Sequence, residues 1–272
     1  MSQMANPFHW RGTVTEREAF VGRERELTSI FARLRQLGCV SVVGARRIGK
    51  SSLAYQAWLQ ANERLGPDCR AAFIDMLSAR HHSLDGLLNS ILEGLGTQHR
   101  LTVGEPAAAL TAFETAVRDL RKQGAMPVVF LDEFEALGAR IEQFGDDLLE
   151  SWRSLGNDGQ IAFVATSARP LDRVTHESGL TSSFYNIFAQ MSLEEFTEKE
   201  AKAFAERAIR AGRLEVGDDV FIRRVGQQHA LKLQVAAWHL FEARQSRQVD
   251  FGLLEQRAKA EIVAMMGPGS SA

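Results

Sequence analysis

Apolar positions follow two rhythms over the first 190 residues and only one thereafter. Leu27, Ile30, Phe31 and Leu34 recur at helical spacing and predict an amphipathic helix over 24–37. Cys39-Val40-Ser41-Val42-Val43 follows as a short apolar run closed by glycine, the pattern of a buried strand. Helical sequence covers 51–65, and a second strand is predicted over 71–75. Helical periodicity returns over 83–95 and 107–122, after which Gly124 and Pro127 mark a turn into Val128-Val129-Phe130-Leu131. A helix carrying Leu148, Leu149 and Trp152 ends at Gly156-Asn157-Asp158-Gly159, and two more strands are predicted over 161–166 and 187–191.

Strands that alternate with helices and are apolar throughout predict a parallel sheet covered on both faces. The expected fold class is therefore α/β: a three-layer core with a five-stranded parallel sheet. After residue 194 the strand pattern stops, and helices are predicted over 197–211, 218–225, 229–244 and 251–265. Thr197 and Glu200 have the spacing of a capping box at the first of these. The expected organisation is an extension over 1–19, a core over 20–193, a small helical lid over 194–266 and a disordered tail over 267–272. Phe8 and Trp10 are the candidate anchors of the extension.

Composition narrows the class. The chain has 272 residues, 45% apolar and 24% charged, which excludes a disordered chain and a small disulfide scaffold. Basic and acidic residues number 32 and 34, so bulk charge favours neither nucleic acid nor an acidic membrane surface. Cys39 and Cys69 are too few for a thiolate metal cluster and read as buried free thiols. No run approaches the roughly 18 apolar residues of a membrane span. With no leader pattern at the start, the expected location is cytoplasmic and no membrane partner is expected.

Candidate chemistry sits at strand ends. Gly44-Ala45-Arg46-Arg47-Ile48-Gly49-Lys50-Ser51 fits G-x-x-x-x-G-K-[ST], with a buried strand before it and a helix after it. Such a loop turns backbone N–H groups toward a phosphate chain, Lys50 reaches the β and γ phosphates, and the Ser51 hydroxyl ligates Mg²⁺. A nucleoside triphosphate is the implied ligand. Arg46 and Arg47 either reach the terminal phosphate or face solvent. Asp132 closes an apolar strand and either holds Mg²⁺ through water or caps the next helix; Glu133 beside it is placed to activate a water. Glu135 reads as solvated or paired with a base. Thr166 and Ser167, closing the fourth strand, either hydrogen-bond the hydrolytic water or serve as a cap or turn. Arg153 is an arginine finger for a neighbouring subunit or an ordinary surface ion pair.

Together these segments resemble the AAA+-related P-loop ATPases of the signal-transduction (STAND) class and their archaeal-type relatives. The resemblance begins at Phe20-Val21-Gly22-Arg23-Glu24-Arg25-Glu26-Leu27, similar to that family's F-V-G-R-E-x-E-L box. It continues through the phosphate loop with Ser52-Leu53 and through Leu131-Asp132-Glu133-Phe134-Glu135. The resemblance implies an AAA+-like core and lid, with Val21 and Gly22 near the adenine and Arg23 stabilising the box. It also implies sensor hydroxyls at Thr166 and Ser167, and an arginine at Arg153. The family's G-x-P lid turn corresponds to Gly226-Gln227-Gln228-His229-Ala230, which has no proline, so His229, the residue nearest that position, either contacts a phosphate or serves as a surface or cap residue.

The expected function is an ATP-binding molecular switch with weak, Mg²⁺-dependent hydrolysis, cycling between ATP and ADP. Its expected partner is another chain carrying sensor or effector function, with a nucleotide-dependent homo-oligomer as a second form. The alternatives are a DNA-associated ATPase resembling origin-binding or transposition-regulator relatives, and a nucleotide-stabilised adaptor without turnover. DNA is the less favoured partner because the lid's charges balance.

Overall fold

The computed structural model describes residues 5–8, 10–101 and 104–266. The expected tail over 267–272 lies outside the described residues. The chain forms two compact units: one holds Arg25–Ala45 and Leu53–Leu193, the other the residues up to Glu24, Arg46–Ser52 and the residues from Glu194 on.

Helix α1 (Glu24–Leu34) buries Leu27, Ile30, Phe31 and Leu34, the four positions that its periodicity singles out. It ends three residues short of the expected 37, in a turn that puts Leu37 at φ 53° before Gly38. Strand β1 (Cys39–Val43) is buried at every position. The helix expected over 51–65 divides at Gln60 into α2 (Lys50–Leu59) and α3 (Ala61–Leu65). After β2 (Cys69–Asp75) come α4 (Leu84–Gly94), α5 (Pro106–Lys122) and β3 (Met126–Asp132). Pro127 lies inside β3 rather than in the turn, at its second residue and opposite Arg70, near the strand start where a missing N–H is tolerated.

Helix α6 (Asp146–Asn157) leads to β4 (Ala162–Ser167). A helix that the pattern does not predict, α7 (Leu171–Glu177), precedes β5 (Phe188–Ser192). All pairings are parallel, in the order β2-β3-β4-β1-β5, so the expected α/β class and five-stranded parallel sheet are found. Registers Val42↔Thr166 and Leu131↔Ala165 bring the carboxyl ends of β1, β3 and β4 to one edge. In such sheets that edge is where ligands bind.

The core of this unit is aromatic. Trp152 packs on Phe163 at 5.2 Å between ring centroids, and Phe184 stacks on Phe134 at 5.9 Å. Both cysteines are buried free thiols, and burial pushes each up to about 11.

In the second unit four helices follow residue 194: α8 (Glu198–Gly212), α9 (Asp218–Gly226), α10 (Ala230–Ser246) and α11 (Phe251–Met266). The Thr197/Glu200 capping box is present. Asp218, fully buried, is held by Arg244 at 2.6 Å, and Arg244 also meets Glu215 at 2.8 Å. The N-terminal segment is built into this bundle. Phe8 is buried against Phe241 at 6.2 Å, and Trp10 lies edge-on to Trp238 at 6.1 Å. Asn6 donates to the Glu242 carboxylate at 2.7 Å. A side chain at residue 212 would come within 3.1 Å of the Phe8 ring, which accounts for Gly212.

Phe8→Ala should therefore destabilise the helical unit by about 3 kcal/mol, the usual cost of emptying a buried aromatic site. The measurement is a thermal melt, where a fall of roughly 8 °C is expected at this chain size. An unchanged melt would show that the strap adds nothing to the bundle.

Candidate functional site

Of the residues in the 44–51 segment, Arg46 to Ser51 belong to the helical unit, and Gly44 and Ala45 to the sheet unit. Arg47 has φ 64° and Gly49 φ 105°, so the loop turns twice through left-handed backbone before α2 begins at Lys50. A side chain would tolerate that conformation poorly at Gly49. Ile48 is buried and Lys50 is 6% exposed, while Arg46 and Arg47 face solvent and Ser51 is partly exposed. The Ser52 hydroxyl accepts from the Val14 backbone at 3.0 Å, so it holds the N-terminal segment.

The Val21-Gly22-Arg23 box lies in the same unit. Val21 packs against the helical core. Gly22 has φ 73°, and a Cβ there would meet Glu200 Oε1 at 2.8 Å. Arg23 has φ 66° and is buried; its guanidinium donates to the Ile48 carbonyl at 3.3 Å and lies 4.6 Å over the Phe196 ring. Its backbone N–H donates to Glu200 Oε1 at 2.7 Å. Glu200 Oε2 meanwhile accepts from the Thr197 backbone and hydroxyl, each at 2.8 Å. One carboxylate thus fastens the box to the start of α8 and caps that helix. The capping box is legible in the sequence; its second bond, to a residue 177 positions away, is not.

Burial pulls the Glu200 carboxyl upward, but the bonds from Arg23 and Thr197 outweigh it and hold it below its ordinary value. A depressed folded-state value gives stability that is complete above the unfolded carboxylate range and lost as pH falls through the folded value. Melting temperature should accordingly drop with acid less steeply in Glu200→Gln than in the unsubstituted chain. Parallel acid slopes in paired melts from pH 7 to 3 would remove Glu200 from this role.

His229 is buried at 3% exposure and caps α10, its Nδ1 accepting from the Leu231 backbone at 3.2 Å. That bond leaves the proton on Nε2. Burial lowers its pKa; Glu195 opposes the shift, and Lys232 and Arg23 add to it. The lid turn lacking proline is built differently from its expected form. Gln227 has φ 51°, Gly226 is needed because a Cβ would lie 2.6 Å from the Leu233 backbone, and Gln228 O accepts from Phe196 N at 2.8 Å.

In the sheet unit, Asp132 closes β3 at 6% exposure. The buried Thr166 hydroxyl donates to Asp132 Oδ1 at 2.5 Å and accepts from the Glu133 backbone at 3.1 Å. Glu133 has φ 56° and ψ 50°, a left-handed conformation that costs a non-glycine residue about 1 kcal/mol. It is fixed on one side by Thr166 and on the other by the Phe134–Phe184 stack. Thr166, Asp132 and Glu133 are thus brought together. Ser167 is not part of that group: its hydroxyl closes a turn with Arg169, donating to its carbonyl at 2.6 Å. Glu135 is partly exposed, and among the described residues it meets backbone rather than a base. Its Oε1 accepts from the Ala168 backbone at 3.1 Å, pinning the turn after β4. Arg153, on α6, pairs with Glu150 of its own chain at 2.9 Å.

No cluster of three or more His, Cys, Asp or Glu able to hold a metal lies among the described residues. The expected donors, the Ser51 hydroxyl and the Asp132 carboxylate, are both hard oxygens. Mg²⁺ is bound by such sparse sets because substrate phosphates and water complete its shell. No helix among them is long and apolar enough to cross a membrane.

The family model described as Novel STAND NTPase 1 matches residues 12–258. No curated protein matches the chain. Among solved structures, the Walker-type ATPase PABY2304 of Pyrococcus abyssi superposes with a TM-score of 0.66 at 18% identity, covering 94% of this chain and 76% of that one. The Aeropyrum pernix ORC2 protein, solved as ADPNP-ADP complexes, gives 0.65 at 15%, covering 92% and 73%. Domain III of the Thermotoga maritima replication initiation protein DnaA gives 0.58 at 16%, covering 92% and 96%. At these identities the likeness is one of fold.

Proposed function

This chain belongs to the Novel STAND NTPase 1 family, and we propose that it is a Mg²⁺-dependent ATPase of low turnover acting as a molecular switch. The observation that carries the hydrolytic part is the Thr166 hydroxyl, which joins the Asp132 carboxylate to the Glu133 backbone. The left-handed backbone that Glu133 keeps after that strand fits a glutamate held in position for such a role.

In this reading the 44–51 loop cradles the phosphates with backbone N–H groups, and Lys50 draws charge from the β and γ positions. Val21, Gly22 and Arg23 enclose the base. Ser51 and Asp132 would hold Mg²⁺, which supplies charge neutralisation on the phosphate oxygens. Glu133 orients a water and takes its proton as the oxygen attacks the γ phosphorus; ADP leaves with the bond that breaks. The Arg23 contacts support a switch: the box proposed to enclose the base also meets the loop at Ile48 and, through Glu200, the α8 capping box. Differential binding of ATP and ADP would then bias the helices and whatever sensor or effector chain rests on them.

A DNA-associated role draws on the fold shared with the replication protein DnaA, yet the charges after residue 194 balance. A homo-oligomer that used Arg153 would first have to break its pair with Glu150. The test is phosphate release from Mg-ATP by the purified chain, with Lys50→Ala as reference. Release that depends on Lys50 supports the reading; equal release from both proteins defeats it.

A further inference from the structure

Strand β2 lies at one edge of the sheet, and its peptide groups alternate in direction. Met76 N donates to Asp132 O at 3.1 Å and Met126 N to Asp68 O at 2.8 Å, so the even-numbered residues turn their peptide groups toward β3. Ala71, Phe73 and Asp75 turn theirs to the free side. Two carbonyls there are already engaged: the Trp58 indole donates to Ala71 O at 3.0 Å, and His81 Nδ1 lies 2.6 Å from Asp75 O. The Phe73 N–H and C=O, and the N–H groups of Ala71 and Asp75, have no partner among the described residues. Ala71 and Phe73 are partly exposed and Asp75 is exposed, whereas Ala72 and Ile74 are buried.

The side chains beside this edge are apolar. Tyr55, Trp58 and Phe73 form one aromatic group, with ring centroids 5.2, 5.4 and 5.8 Å apart and every ring partly exposed. Leu59, next to Trp58, is 48% exposed, and Leu77, two residues past the strand, is 60% exposed. Charge stands only near the strand's two ends, at Arg70 and Asp75. Such an edge is a template for another strand unless a helix, a bulge or a row of charges blunts it. The free groups are also their own complement. About a two-fold axis at Phe73, an antiparallel copy of β2 exchanges Phe73 N–H and C=O in both directions. The same register sets the Ala71 and Asp75 N–H groups opposite the Asp75 and Ala71 carbonyls, each of which keeps a lone pair beside its side-chain donor. Asp75 then faces Ala71, so like charges are not opposed.

We infer that β2 is a docking edge for a second copy of this chain, paired antiparallel about Phe73 so that two sheets continue into one. The two Phe73 rings come side by side on one face and join the aromatic groups of both copies, a pairing that stabilises antiparallel strands. Because the strands run in opposite directions, the carboxyl edges of the two sheets point apart. Each copy keeps its own Asp132 and Glu133, and no arginine is lent across the contact, in accord with the pairing of Arg153 to Glu150 within the chain. The association needs no nucleotide and stands apart from the ATPase reading.

Sedimentation velocity of the full chain, without nucleotide and over rising concentration, should show monomer giving way to dimer. Amide exchange at Ala71, Phe73 and Asp75 should slow over the same range. Leu77→Lys puts a charge at the exposed end of the edge and should raise the dimer dissociation constant at least about tenfold. Phe73→Pro should abolish the dimer while the sheet persists, because the N–H it removes faces away from β3. If the proline protein misfolds, Leu77→Lys carries the test. Ile141→Lys, at another exposed aliphatic side chain of the same unit, should leave the dimer unchanged. A chain that stays monomeric at every concentration overturns the inference, whatever its nucleotide binding. So does a dimer that survives Leu77→Lys with the three edge amides still exchanging freely, since another face then holds it. Edge amides that slow only in a monomer bound to a different protein overturn it in favour of a foreign strand.

Discussion

Lys50→Ala is expected to leave the chain folded while phosphate release from Mg-ATP falls by roughly 10³-fold, the scale at which removing one preorganised charge stabiliser acts. Lys50 opens α2 directly after the left-handed turns at Arg47 and Gly49, so its position is set by loop backbone and helix start together. At 6% exposure its ammonium lies where charge interactions are screened far less than in water. Arg46 and Arg47 face solvent and are poorly placed to replace it. Nucleotide affinity should fall with turnover, because Lys50 meets the phosphates in the ground state as well as in the transition state. Paired measurements of phosphate release, equilibrium binding and thermal melting check this. A variant with full binding and no release would move Lys50 from substrate binding to transition-state stabilisation alone. A variant equal to the unsubstituted chain in both would take the phosphate loop out of the reaction.

The strand-loop-helix context of the 44–51 segment was legible in the sequence because its demands are local: a buried strand, two glycines, a lysine and a hydroxyl at fixed spacing. Asp132 and Glu133 were legible for the same reason, as carboxylates closing an apolar run. What escaped the sequence depends on contacts between distant positions. Glu200 reads as half of a capping box, and nothing in its neighbourhood announces a bond to Arg23. Lys232 sits in a helical stretch where a lysine is unremarkable until the fold buries it. Thr166 and Ser167 look equivalent as neighbouring hydroxyls at a strand end. Alternation of the strand sends one to Asp132 and leaves the other to close a turn with Arg169. Glu135 is two residues past Glu133, but the 3-10 turn between them carries it to the Ala168 backbone. Local pattern could not tell those pairs apart, since the difference lies in which atoms the next strand presents. The segment that the resemblance marks as a lid turn is held here by glycine packing at 226 and an imidazole cap at 229.

Glu133→Gln should preserve Mg-ATP binding within about twofold and reduce turnover between roughly 10²- and 10⁴-fold, the range of a lost general base. The amide is nearly isosteric and leaves the backbone N–H that Thr166 accepts, so the left-handed geometry at φ 56° persists. What it loses is the capacity to take a proton. A glycine at this position would not separate those effects: it relaxes the backbone strain and deletes the side chain at once. Glu135 cannot easily take over, because one of its oxygens is committed to the Ala168 N–H and its other oxygen is buried. The measurement is a single-turnover assay of phosphate release with saturating enzyme, run beside equilibrium binding of ATP. Slow release with intact affinity would also trap the ATP-bound form. Unaltered turnover in Glu133→Gln would place the proton acceptor elsewhere and leave the strained glutamate without a chemical role.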